Sequence, residues 1–168
     1  MSKLREKSEF NFDAAQLLID NYLYAPSVHC SYYSCFQMMK YTMKNFFGIS
    51  YDELNTRISV STSGGTHSYV TNFFNKEVKK KGISDYSDFS RKIKDLKEFR
   101  ESSDYDDVEI TIDKSQRAKD YATDIRQYIQ RNFKRWTQKN LLRIAWTNYV
   151  TSFLNYHLSI STIQIPVL

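Results

Sequence analysis

Apolar side chains recur along most of this chain at the three- and four-residue steps of an α-helix. Phe12, Ala15, Leu18, Ile19 and Tyr22 mark one face of a helix predicted over about residues 5–24, which Pro26 should end. A second helix is predicted from an N-cap at Ser27 to about Phe47, closed by Gly48. Tyr32, Tyr33, Phe36, Met39, Met43, Phe46 and Phe47 cover more than one of its faces, the pattern of a helix buried centrally or shared with another subunit. Met39 and Met43 read as adaptable core, and His29 as a partly exposed residue of the first turn.

A short helical turn at Tyr51–Arg57 and a Ser/Thr/Gly loop precede the stretch GGTHSYVTNFFNKEVKKKG, Gly64 to Gly82. It predicts a flexible entry, a helix over 67–81 with His67 and Ser68 in its first turn, inward Val70, Phe73, Phe74 and Val78, and a glycine at its C-terminal end. Lys79, Lys80 and Lys81 suit the negative end of that helix dipole. A fourth helix is predicted over 86–102 on Phe89, Ile93, Leu96 and Phe99 or Arg100, followed by an acidic link to Ile112. A fifth should start at Asp113 or Ser115, with Ala118, Ala122, Ile125, Ile129, Phe133 and Trp136 on one face. Leu141–Tyr156 reads as further helix and the closing STIQIPVL as an extended tail. The expected class is all-α, an up-and-down bundle of about five main helices over residues 1–135, with a C-terminal extension over 136–168 packed on the same domain.

Composition agrees with that class. The chain has 168 residues, enough for one domain with a proper core. It has only 4 Gly and 2 Pro, few breakers for a many-turned β fold, and its aromatic fraction of 15% supplies buried area that aliphatic residues would otherwise provide. Cys30 and Cys35 face opposite sides of one helix and are poorly placed to pair. With a charged, polar start and no apolar run of membrane length, they point to a cytoplasmic protein without membrane association.

The net charge of +5 is unevenly spread. No acidic residue follows Asp124, whereas Arg126, Arg131, Lys134, Arg135, Lys139 and Arg143 do; Glu101–Glu109 forms an acidic knot. Arg131, Arg135, Trp136, Lys139 and Arg143 combine cations with an aromatic ring, a pattern suited to phosphate contact and base stacking; a solvated helix face is the plainer alternative. There is no Walker loop, dinucleotide glycine signature, HExxH or familiar zinc spacing, so no cofactor or metal is expected.

Two patterns resemble the HEPN family of small helical domains. SYYSCFQMMKY, Ser31 to Tyr41, resembles the family's tyrosine-rich helix. THSYVTNFFNKEVKKKG, Thr66 to Gly82, resembles its S-H-S-G segment and the helix after it, with His67, Ser68, Phe74 and Gly82 in matching order. The family's R-x-x-A-D-Y-D segment is met in part by Arg100, Asp104, Tyr105 and Asp106, and KSQRAKDYATDIRQYI resembles its final helix. The chain departs at Tyr69, where the family usually has glycine, and at Ser103, where it has alanine; the resemblance covers about residues 8–135.

It implies a helical bundle that works as a homodimer or with a nucleotidyltransferase-like partner, in a toxin–antitoxin or defence setting. Many members are ribonucleases with an R-x(4–6)-H motif. That motif is missing here, since Arg57 precedes His67 by ten residues. The resemblance therefore implies a module that binds RNA, nucleotide or a protein partner, with Ser68, Asp104, Tyr105 and the basic stretch from Arg131 to Arg143 as binding residues. Two alternatives stand beside it: a metal-independent ribonuclease using His67 with Arg100 or Arg57, and a purely structural homodimer. In the structural reading His67 and Ser68 cap a helix, while Arg100, Asp104 and Tyr105 tie a link to the bundle.

Overall fold

The computed structural model describes residues 2–61 and 64–133. The chain divides into two units, Met1–Asn132 and Phe133–Leu168, and the fold described is that of the first. Among the described residues there are six helices and no strand: α1 (Lys3–Asp20), α2 (Tyr24–Phe47), α3 (Tyr51–Ser59), α4 (Thr66–Lys80), α5 (Tyr86–Tyr105) and α6, whose described part is 112–133. The chain is an all-α helical bundle. No helix among these is long and apolar enough to cross a membrane.

α2 is the centre, packing against α1, α4 and α5. Its Val28, Tyr32, Cys35, Met38, Met39 and Met43 are all at most 3% exposed, as expected of a helix apolar on several faces. α4 adds Val70, Phe74 and Val78; α5 adds Phe89, Ile93 and Leu96; α6 adds Ala118, Ala122, Ile125 and Ile129. The short α3 starts with a side-chain N-cap: Ser50 Oγ accepts from Glu53 N at 3.1 Å, and Leu54 anchors the helix in the core.

Four helix boundaries differ from the sequence expectation, each for a local reason. α1 stops at Asp20, and Tyr22 takes φ 63° in the turn that follows, with its side chain in solvent. α2 begins at Tyr24, so Pro26 and Ser27 lie inside its first turn. A first-turn N–H has no partner within the helix, so the missing proline N–H costs nothing there. Ser27 is therefore a buried tie and not a cap: its Oγ donates to Tyr24 O and pairs with Ser115 Oγ of α6. Ser115 in turn lies inside α6, which begins earlier than expected, with Thr111 Oγ1 accepting from Lys114 N. Fourth, α5 continues to Tyr105, which makes Asp104 and Tyr105 helical.

Arg126 departs further from expectation. Counted by sequence with the basic end, it is 4% exposed and sits inside the bundle. Its guanidinium pairs with Glu9 and donates to Ser8 Oγ and to the carbonyls of Ser8 and Ser34. It also lies 4.5 Å from the Phe12 ring centroid. A buried guanidinium needs this density of acceptors, and here it joins α1, α2 and α6.

Candidate functional site

Where α2, α4 and α5 meet, three segments from distant parts of the chain form one polar–aromatic cluster. Tyr32 and Tyr33 come from α2, His67 from the first turn of α4, and Arg100, Asp104 and Tyr105 from the last turns of α5. Gly65, the α4 N-cap at φ 92° and ψ 179°, holds a conformation essentially restricted to glycine. That turn places His67 against α2 one residue after the helix starts.

His67 is half-buried. Its ring stacks on Phe36 with centroids 4.4 Å apart and lies edge-on to Tyr33 at 5.7 Å. His67 Nδ1 and Tyr32 Oη are hydrogen-bonded at 2.8 Å. Burial and then the positive charge of Arg100 and Lys97 lower the His67 pKa, with Glu101 opposing. The ring is therefore neutral at neutral pH. Burial pushes the Tyr32 phenol well above its usual range, so that group stays protonated and has one O–H to place. With Tyr32 1% exposed, the His67 Nδ1 lone pair is the acceptor at hand. The ring proton then sits on Nε2, and among the described residues no hydrogen bond reaches that atom.

Arg100 supplies the charge. Its side chain is 11% exposed, and its Nη2 donates to Tyr105 Oη at 3.1 Å and, more weakly, to Tyr33 Oη at 3.4 Å. Nε lies 2.7 Å from Asp104 Oδ2; the N–H does not point along a hydrogen bond, so the contact is an ion pair by proximity. Asp104 stands one helical turn after Arg100, and both its oxygens are also 3.1 Å from His29 Nδ1. His29 stacks on Tyr33 at 4.4 Å. The guanidinium lies 5.0 to 5.9 Å from the ring centroids of Tyr105, Tyr33 and Tyr32, within cation–π range. Tyr32 and Tyr33 thus touch both His67 and Arg100.

Of the residues singled out by sequence, His67, Arg100, Asp104 and Tyr105 belong to this cluster. Ser68 borders it: its Oγ accepts from Lys97 Nζ at 3.5 Å, and Lys97 pairs with Glu101 at 3.2 Å. Arg57 is engaged by Glu53 on its own helix at 2.6 Å. Arg131 is exposed on α6, 3.9 Å from Asp85, while Arg135, Trp136, Lys139 and Arg143 lie outside the described residues. Sequence reasoning missed His29, Tyr32, Tyr33 and Lys97 as members of the site. For Tyr32 and Tyr33 the signal was present, because adjacent aromatics on a helix cannot both face the same core.

Cys35 is fully buried beside Ser34 and Ala122 O, with its thiol pushed up to about 12 by burial. A thiol in that state is not a nucleophile at neutral pH, and His67 is instead bonded to Tyr32. Among the described residues, no three His, Cys, Asp or Glu side chains converge as a metal site. Compared with family models, with curated proteins and with solved structures, the chain matches none, so the chemistry of this cluster has to be read from its geometry.

Proposed function

We propose that the chain is an HEPN-like module that binds the phosphate of a nucleotide, free or within single-stranded RNA, at the His67–Arg100 cluster. The observation that carries the reading is the hydrogen bond between Tyr32 Oη and His67 Nδ1. Tyr32 occupies Nδ1, which leaves a neutral ring with an N–H at Nε2, beside a fixed guanidinium. A phosphate oxygen accepts from both kinds of donor. The surrounding cations Lys97 and Lys40, felt by His67 along with Arg100, favour an anion at the same place, and the partly exposed Tyr33 and the exposed Tyr105 offer faces for stacking. The family resemblance is supported in one further respect: three of its four quoted segments, distant in sequence, meet at this one cluster.

The same proton argues against a general base. Abstraction of a 2′-hydroxyl proton needs an unprotonated ring nitrogen facing the substrate, and the tautomer set by Tyr32 presents the protonated one. The homodimer or nucleotidyltransferase-type partner implied by the resemblance is part of the proposal.

Binding of a labelled single-stranded RNA, measured over a range of salt, tests the reading. Affinity should fall with salt, and His67→Gln or Arg100→Gln should each weaken binding and make the salt dependence shallower for the arginine variant. RNA that binds equally well to both variants contradicts the proposal. Cleavage of RNA that persists in EDTA and disappears in His67→Ala would replace it with the ribonuclease reading.

A further inference from the structure

His29, Tyr33, Phe36, Lys40 and Lys44 follow one another along α2 at steps of three and four residues, so they share one face of the helix. At a rise of 1.5 Å per residue the row is about 22 Å long. One end is the His67–Arg100 cluster, where His29 stacks on Tyr33 and His67 on Phe36. The other end reaches Tyr51, the first residue of α3. Phe36 joins the two: the ring that stacks on His67 at 4.4 Å also lies 5.9 Å from Lys40 Nζ.

Two cations beyond His67 are held in place without a counter-charge. Lys40 Nζ and Lys44 Nζ lie 6.0 and 4.5 Å from the Tyr51 ring centroid, a cation–π arrangement that gathers both ammonium groups over one ring. Neither has a carboxylate partner among the described residues. Glu53 of α3 is engaged by Arg57, and at the far end of the row Glu101 and Asp104 are engaged by Lys97 and Arg100. Lys40 is half-buried and Lys44 exposed. Burial lowers the Lys40 pKa, and no neighbouring anion opposes the shift. Sheltered lysines elsewhere in the bundle are each given an acceptor: Lys92 has Asp88 and Asp124, and Lys119 has the Phe12 carbonyl. Withdrawing an ammonium from water without such a partner costs free energy, which an arriving anion offsets.

We propose that this face of α2 is a track for a single strand of RNA, with Lys40 and Lys44 holding the backbone phosphates next to the one at His67 and Arg100; the proposal rests on the phosphate reading above. A mononucleotide fills only the cluster end of a row this long. Lysines that contact phosphate position the strand and leave the bases unread, so the track responds to chain length and charge and not to sequence.

The test compares UMP, UTP and a 5′-phosphorylated uridine octamer, measuring affinity over a range of salt and following the His67 ring by NMR. The octamer should bind at least about tenfold more tightly than UMP at low salt, because each further phosphate contact adds to affinity. Lys44→Gln, at an exposed position, should make the octamer's log–log salt slope shallower by about 0.7, one phosphate contact on a single strand, and Lys40→Gln with it by about twice that. An octamer no tighter than UMP overturns the track while UMP that shifts His67 keeps the phosphate reading intact. This comparison needs no variant, so misfolding cannot obscure it. UTP as tight as the octamer makes the lysines a compact polyphosphate site and overturns the track, as does a salt slope that neither variant changes. An octamer whose slope depends on both lysines but which never moves His67 supports the track and removes the phosphate reading. If none of the three binds, both fall.

Discussion

Arg100 and His29 both contact the same carboxylate, and that arrangement predicts a measurable coupling. Removing one partner of a buried ion pair costs about 3–5 kcal/mol when the other charge is left stranded. Arg100→Leu does not strand Asp104, because His29 Nδ1 still faces both carboxylate oxygens at 3.1 Å. The expected loss is therefore smaller, about 2 kcal/mol, the scale of a charge-assisted hydrogen bond together with partly exposed cation–π contacts. His29→Ala alone should cost about 0.5 kcal/mol, since its side chain is 44% exposed and Arg100 keeps the carboxylate paired. With both removed, Asp104, whose side chain is only 17% exposed, loses the ion pair and the imidazole contact together. The double variant should then lose about 1 kcal/mol more than the sum of the singles. Urea denaturation of the four proteins at neutral pH supplies the cycle. Effects that add within about 0.5 kcal/mol would refute the shared-carboxylate reasoning, and an Arg100→Leu variant as stable as the parent would refute the pairing itself.

Three further predictions follow from single sites. Gly65→Ala should destabilise the fold by roughly 1–3 kcal/mol, read as a lower urea midpoint, because its backbone at φ 92° and ψ 179° excludes a side chain. The His67 pKa is depressed in the fold, so the unfolded chain binds the proton more readily. His67 thus contributes no pH dependence above its ordinary value of about 6.5 and makes stability fall as pH drops below it; His67→Gln should show a shallower loss as pH falls below that value. Cys35 should resist a thiol reagent at mildly alkaline pH in the native protein, and react once the chain is unfolded in urea.

Much of the bundle was legible because helical periodicity and breakers are local signals. The crowded apolar pattern of α2 announced a central helix, and the glycines around α4 marked a special entry and exit. The misjudged boundaries came from residues that serve two purposes. Ser27 looks like a cap because serine usually is one there, yet its hydroxyl is needed against Ser115 on α6. Asp104 and Tyr105 sit among acidic residues that read as a link, and they stay helical because Arg100 one turn earlier pairs with them. Arg126 is indistinguishable by sequence from the solvent-facing cations after it. Only its acceptors, supplied by Ser8, Glu9 and Ser34 from other helices, make it a core residue. The site was half legible in the same sense. His67 and Arg100 could be picked out, but their meeting on Tyr32 and Tyr33 depends on how α4 and α5 cross α2, which no local pattern encodes.

The measurement that bears most directly on the account is the NMR titration of the His67 ring with inorganic phosphate. A phosphate held by Nε2–H beside Arg100 should shift the His67 resonance saturably and raise its apparent pKa, since an adjacent anion favours the charged imidazolium. Arg100→Gln should weaken that response. A His67 resonance and pKa unchanged at saturating phosphate, in a protein that remains folded, would contradict the central claim.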